Sequence, residues 1–209
     1  LAAPAGGVDT SLQAAPDTGW TAAGDGSASI ASGVVTLSMG ASETSARLHR
    51  AIPASPYAPA LEVSARITRT GTPGSGVHRW GIALSSEAWD RGFSVLCESN
   101  NQVWAYVNTS GTNNWVSFAG FPGATLNGGD LWVRMVITPS YVAWFVGSGA
   151  TRPTTWTHLV TRSIASDIEL LSQMRIVTLQ AIGTRDASTG TATGTVSDIA
   201  WRSLLGAPA

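Results

Sequence analysis

The chain has no lysine. Its 12 basic side chains are all arginine, set against 13 acidic ones, for a formal net charge of −1 over 209 residues. A near-neutral balance gives no basic field to hold a phosphate backbone, which excludes nucleic acid as a partner. Charged residues are also scarce, at 12% of the chain, about half the roughly 25% of an ordinary soluble domain. The polar surface must therefore be built from Ser, Thr, Asn and Gly, a composition that suits strands and turns; the solvent faces of helices usually need Lys and Glu. Cys97 is the one cysteine, so an internal disulfide and a cysteine-based metal cluster are both excluded. Within Phe93-Ser94-Val95-Leu96-Cys97 it reads as a small buried hydrophobe. No apolar run approaches the ~20 residues of a membrane-spanning helix. His49, His78 and His158 stand in none of the nucleophile or zinc motifs, and each reads as a structural histidine. The first residue, Leu1, suggests a processed product or a piece of a longer one.

What the chain does have is a period of two. Leu61, Val63, Ala65 and Ile67 share one face of an extended segment. Trp80, Ile82 and Leu84 share one face of Val77 to Ser85, with Gly81 and Ala83 on the other. Phe93 to Glu98 and Val103 to Asn108 flank Ser99-Asn100-Asn101-Gln102 as a hairpin. Leu131 to Thr138 and Tyr141 to Gly147 flank Pro139-Ser140 as a second one, and late strands are expected over Arg175 to Gly183 and Thr193 to Leu204. Turn signals fall between these runs, at Gly24-Asp25-Gly26, Gly71 to Gly74, Asn113-Asn114 and Asn127 to Asp130. About a dozen short strands punctuated in this way predict an all-β fold, a sandwich of two antiparallel sheets. Residues 1–18, rich in Ala, Pro and Gly, read as a flexible arm, and residues 19–209 as one sandwich domain. Only Ser86 to Asp90 and Ser166 to Glu169 carry helix signals, each a single turn, the second with capping-box spacing.

The order of features runs from Trp20 through Gly33-Val34-Val35-Thr36-Leu37 and Leu61 to Ile67. It continues with Trp80-Gly81-Ile82-Ala83-Leu84, Gly92 to Leu96, Leu131-Trp132-Val133-Arg134, Tyr141 to Val146, Thr155-Trp156-Thr157 and Val196 to Trp201. In this order, and in its Trp-x-Arg strand followed by a Trp-Thr element, the chain resembles the concanavalin A-like lectin/glucanase superfamily, above all its laminin-G-like modules and their bacterial and phage relatives. The likeness covers roughly residues 20 to 204. It implies a jelly roll of two curved sheets, whose concave face binds glycans in many members. It does not by itself assign a function.

Glucanases of that superfamily carry Glu-x-Asp-x-Glu, or a one-residue expansion, on one strand. The closest match here is Asp167-Ile168-Glu169, without a third carboxylate. In an extended chain its side chains would be ~6.6 Å apart on one face, against the ~5 Å that retaining hydrolysis needs. The capping-box reading accounts for the same pair without chemistry, and Glu87 with Asp90 reads as a polar turn, so the expectation is a non-enzyme. No cofactor is expected. Ca²⁺ is the one ion considered, because Asp9, Asp25, Asp130 and Asp198 lie at expected loops or strand ends; they form no dense Asp-x-Asp loop, and Asp198 is expected to take backbone hydrogen bonds where the last strand begins.

Nine tryptophans are the most informative feature. If aliphatic faces form the core, Trp104, Tyr106, Trp132, Arg134 and Trp144 converge on the opposite surface, with Asn100, Asn101, Asn113 and Asn114 on rim loops. Such a platform stacks on the apolar faces of sugars while Arg and Asn take hydroxyls. The other reading of the same rings is that they fill the space between sheets or lie against another subunit. Three functions follow. The first is a non-enzymatic glycan-contacting adhesion module, extracellular or on a virion surface such as a phage tail, spike or head fibre, with a cell-surface or extracellular glycan as partner. The second is a purely structural virion subunit held by neighbouring or self subunits. The third is a glycoside hydrolase of the same fold.

Overall fold

The computed structural model describes residues 12–51, 60–70, 77–86, 92–98, 102–109, 112–120, 131–164, 178–186 and 191–204. These form fifteen strands. The early ones are β1 (Gln13–Ala14), β2 (Thr21–Gly24), β3 (Ser27–Ala31), β4 (Val34–Met39) and β5 (Ser45–Ala51). The central ones are β6 (Leu61–Thr70), β7 (Val77–Ser85), β8 (Gly92–Glu98), β9 (Gln102–Thr109) and β10 (Thr112–Gly120). The late ones are β11 (Leu131–Ile137), β12 (Tyr141–Ser148), β13 (Thr157–Ser163), β14 (Thr178–Asp186) and β15 (Ala192–Ser203). Every pairing is antiparallel. The first sheet runs β13-β12-β11-β6-β15-β4-β3 with β1 added to β15, and the second runs β10-β9-β8-β7-β14-β5-β2. This is the sandwich of two antiparallel sheets that the alternating hydrophobicity predicts, in the jelly-roll form that the resemblance implies.

The core lies between the sheets and uses the faces read from the sequence. Val63, Ala65 and Ile67 of β6 pack inward with Leu131, Val133, Met135 and Ile137 of β11, opposite Trp80, Ile82 and Leu84 of β7, and Leu61 is likewise buried. Large rings fill the inter-layer space. Trp144 of β12 is fully buried, meets Phe93 edge-on at 6.2 Å and donates its indole N–H across the core to Ser94 O at 3.0 Å. Trp80 lies against Gly194 of β15, where a Cβ would overlap the indole ring, so the two sheets approach closely only because residue 194 has no side chain.

Turn chemistry explains the early hairpins. β3 and β4 are joined by Ser32-Gly33, both at positive φ (51° and 75°), the geometry of a two-residue turn matched to strand twist. Asp25 accepts from Thr44 N, Thr44 Oγ1 and Ser45 N at 2.7 to 3.0 Å, and these bonds, the backbone ones from Ser45 and Thr44 foremost, pull its pKa down to about 2. Both carboxylate oxygens of Asp25 thus pin a turn.

In the described part of the expected arm, residues 12–18, Gln13 and Ala14 pair with Trp201 and Ala200, and Pro16 O accepts from the Trp20 indole. Three expectations need correction. Asn113 and Asn114 are not a turn but lie within β10, their backbones opposite Asn108 and Val107. Asp198 is not at the start of the last strand but inside β15, at φ 51°, and accepts from Ser197 Oγ at 3.0 Å. Trp144 points into the core, because β12 buries Val142, Trp144 and Val146 together. Asp9, Glu87, Asp90, Asn100, Asn101, Asp130, Asp167 and Glu169, and both helix signals apart from Ser86, lie outside the described residues.

Candidate functional site

On the outer face of the first sheet, register alone brings a charged cluster together. β6 turns Leu61 and Val63 inward, so Glu62 and Ser64 face out. Arg134 of β11 pairs with Ser64, one step diagonal to Glu62, and Arg202 of β15 pairs directly with Glu62. Arg202 reaches this face only because of a bulge. Asp198 and Ile199 together oppose the single residue Ala65, between the Ser197–Arg66 and Ala200–Ser64 pairs. The extra residue reverses the alternation of β15. Ala192 and Val196 point inward before it, and Ile199 after it, which turns Arg202 outward. At the same point the edge of β15 changes partner from β4 to β1, and Ala15 N continues the ladder to Ile199 O at 2.8 Å.

Glu62 is the hub of this cluster. Its Oε1 accepts from Arg134 Nε at 3.0 Å and Arg152 NH2 at 2.7 Å. Its Oε2 accepts from Arg134 NH2 at 3.0 Å and from Arg202 Nε and NH2 at 2.9 and 2.7 Å. The side chain is 1% exposed. Burial alone would raise its pKa, but the hydrogen bonds and positive charge of Arg134 and Arg202 outweigh that and hold it below the usual carboxylate range. A general acid needs the opposite shift. Glu62 is therefore a permanent anion that positions arginines.

A loop closes over this face. Gly147, next to last in β12, has no side chain, and Pro153 occupies the space, its Cγ 2.5 Å from where a Cβ would stand. Trp132 donates its indole N–H to Gly149 O at 2.8 Å. Arg152 reaches back to Ser64 Oγ at 3.1 Å and to Glu62. Trp156 then receives two guanidinium groups, Arg134 at 5.6 Å and Arg152 at 5.5 Å from its ring centre, while Arg134 also lies 4.9 Å from the Phe145 ring. The result is an open recess of ≈340 Å³ lined by Glu62, Arg134, Arg152, Pro153, Thr154, Trp156 and Arg202. A second recess, ≈390 Å³, uses Arg152 as a common wall and is lined by Leu12, Trp132, Asp198 and Ala200 among others.

The expected platform is divided by the fold. Trp132 and Arg134 lie on the outer face of the first sheet, Trp144 lies between the sheets, and Trp104 and Tyr106 lie on the outer face of the second. There Trp104 and Tyr106 stack at 6.2 Å beside Leu96, Ala83 and Ile182, and Arg79, paired to Glu98 at 2.7 Å, lies 5.9 Å from the Trp104 ring. The two rings are only 7% and 4% exposed, so they offer little face to a ligand. Of the expected residues, Arg134 alone lines the arginine recess, and Trp132 lines its neighbour. Glu62, Arg152, Trp156 and Arg202 were missed. A signal existed for Glu62, a lone acid on the polar face of a clean alternating strand.

In these two recesses the described lining residues include one carboxylate each, Glu62 in the first and Asp198 in the second. Among the described residues there is no grouping of three or more His, Cys, Asp or Glu side chains able to hold a metal.

No protein-family model matches the chain, and no curated protein sequence matches it. Solved structures do match. The carbohydrate-binding module CBM66 from Bacillus subtilis superposes with a TM-score of 0.60 at 9% identity, over 89% of this chain and 96% of that one. The exoplasmic/lumenal domain of VIP36, in its Ca²⁺/Man3GlcNAc-bound form, gives 0.62 at 9% identity over 96% and 91%. A prokaryotic β-1,3-1,4-glucanase (lichenase) from a mouse hindgut metagenome gives 0.60 at 10% identity over 92% and 98%. At these identities the likeness is one of fold. The chain shares with them a two-sheet antiparallel jelly roll, a fold that among these matches occurs in binding domains and in a hydrolase.

Proposed function

We propose that the chain is a non-catalytic glycan-contacting module that takes a saccharide in the arginine–tryptophan recess of the first sheet. One observation carries this reading. The recess joins an indole ring, a hydroxyl from Thr154 and guanidinium donors around an open volume of ≈340 Å³, at the low end of the ~300–1,000 Å³ of ligand sites. Sugars need that combination, an apolar surface for ring C–H groups beside fixed polar groups for hydroxyls. The fold shared with a carbohydrate-binding module and with VIP36 supports the reading, and the low pKa of Glu62 weighs against hydrolysis at this site. Such a module serves adhesion to a cell-surface or extracellular glycan, on a secreted protein or on a phage particle.

The competing subunit reading wants a contiguous apolar face. Among the described residues the exposed large hydrophobics are Leu12, Val34 and Tyr141, and β11, β6 and β15 separate Val34 on β4 from Tyr141 on β12. A glycan array probed with wild type, Trp156→Ala and Trp104→Ala tests the proposal. It expects a bound saccharide class that Trp156→Ala loses and Trp104→Ala keeps. Absence of saccharide binding, or binding that Trp156→Ala leaves intact, overturns it.

A further inference from the structure

We infer that the saccharide taken by this recess is an acidic one, a uronate, whose ring carboxylate is received by Arg152 and Arg202. This rests on the glycan reading above and specifies its ligand.

Charge is the first argument. Three guanidinium groups meet one carboxylate, since Arg134, Arg152 and Arg202 (+3) surround Glu62 (−1), which leaves +2 in a recess with no other acidic side chain among its described lining residues. The chain as a whole is −1, so this is a local concentration of positive charge and not a sample of a basic surface.

Hydrogen-bonding capacity is the second. Arg152 spends Nε on Ser64 and NH2 on Glu62, and Arg202 spends Nε and NH2 on Glu62. Among the described residues the NH1 group of each meets no hydrogen-bond partner. These two are also the more exposed members, at 32% and 40% of the side chain against 21% for Arg134. Arg134 is flanked by Phe145 and Trp156 and braces the wall.

Pre-organisation is the third. Glu62 fixes the guanidinium planes before a ligand arrives, so little rotamer freedom remains to be lost on binding. What they present is a set of directed N–H donors, the natural partner of a carboxylate. Trp156, Pro153 and Thr154 supply the surface that a sugar ring adds to a bare anion.

The test uses the whole chain and isothermal titration against paired oligosaccharides: galacturonate, glucuronate and mannuronate oligomers, the methyl ester of each, their neutral counterparts and sulfated ones. At least one free acid is expected to bind on the order of 10-fold or more tighter than its ester, and the gap should narrow as salt is raised. Arg152→Ala and Arg202→Ala, each checked for a cooperative melt, should bring the acid down to the level of the ester. If either variant fails to fold, the acid–ester comparison on wild type still decides. Equal affinity for every acid and its ester, or tight binding confined to neutral sugars, overturns this inference and leaves the glycan reading standing. A preference for sulfated over carboxylated oligomers overturns the choice of carboxylate. Acid binding unchanged in both arginine variants places the site elsewhere, and no binding to any saccharide sinks both readings.

Discussion

Replacing Glu62 with alanine removes the one anion that holds three arginines together. Glu62 is buried and accepts from Arg134, Arg152 and Arg202 at 2.7 to 3.0 Å, and it ties β6 to β11, to β15 and to the loop after β12. Removing one partner of a buried ion pair costs about 3–5 kcal/mol, mostly because the remaining charge is left unmatched. Here Arg152 and Arg202 are partly exposed and can turn toward water, so the lower end applies, about 3 kcal/mol. A domain of this size loses about 2–4 °C of Tm per kcal/mol, which gives a drop of roughly 6–12 °C on the same basis. Arg202→Ala should cost far less, about 1 kcal/mol, because Glu62 keeps two partners and the lost side chain is near the surface. Acid provides an independent check. The folded pKa of Glu62 lies below its ordinary value, so its contribution is complete above that value and fades as pH falls through the folded pKa. Glu62→Ala should lack this part of the acid limb. Thermal melts followed by circular dichroism, repeated across pH, read both effects. A Glu62→Ala melt within about 2 °C of wild type, well inside the expected shift, would refute the hub.

Three other outcomes follow from the same packing. Gly194→Ala drives a methyl group into the Trp80 indole between the sheets and should lower stability by at least ~1–3 kcal/mol, read by urea unfolding; an unchanged midpoint contradicts the close approach. Cys97 is fully buried, and desolvation pushes its thiol pKa far up, so a thiol reagent should label it only on unfolding, and rapid labelling of the native protein contradicts its place in the core. Asp25 is held at about 2 by hydrogen bonds from Ser45 and Thr44, so its contribution is present above the ordinary aspartate range and lost as pH falls toward about 2. Asp25→Asn should flatten that part of the acid limb, and an unaltered pH dependence contradicts the pinned turn.

The fold was legible because one rule governs it: alternation in Leu61 to Ile67 and Leu131 to Ile137 assigns faces without ambiguity. The site was not, for three physical reasons. Trp144 and Trp132 are chemically alike, yet Val142 and Val146 draw the first inward while Leu131 and Val133 turn the second outward. The reading from alternation places them together because it takes the other face of β12, with Ala143 and Phe145, as the core face. Parity also fails at Asp198, where an extra residue puts Arg202 on the face that strict alternation denies it. The loop residues Arg152 and Trp156 belong to no strand, and only the chain reversal after Gly147 lays them over Glu62. Glu62 and Arg134 were within reach of pattern reading, since both lie opposite the aliphatic faces of neighbouring strands, but nothing local marks β6 and β11 as neighbours.

The most direct measurement is a nuclear magnetic resonance titration with a bound oligosaccharide, following tryptophan indole and arginine side-chain signals. The account expects the Trp156 indole and the Arg152 and Arg202 guanidinium signals to shift together, with Trp104 and Trp144 unmoved. Shifts gathered instead around Trp104 and Tyr106 would contradict it and place the ligand on the opposite sheet.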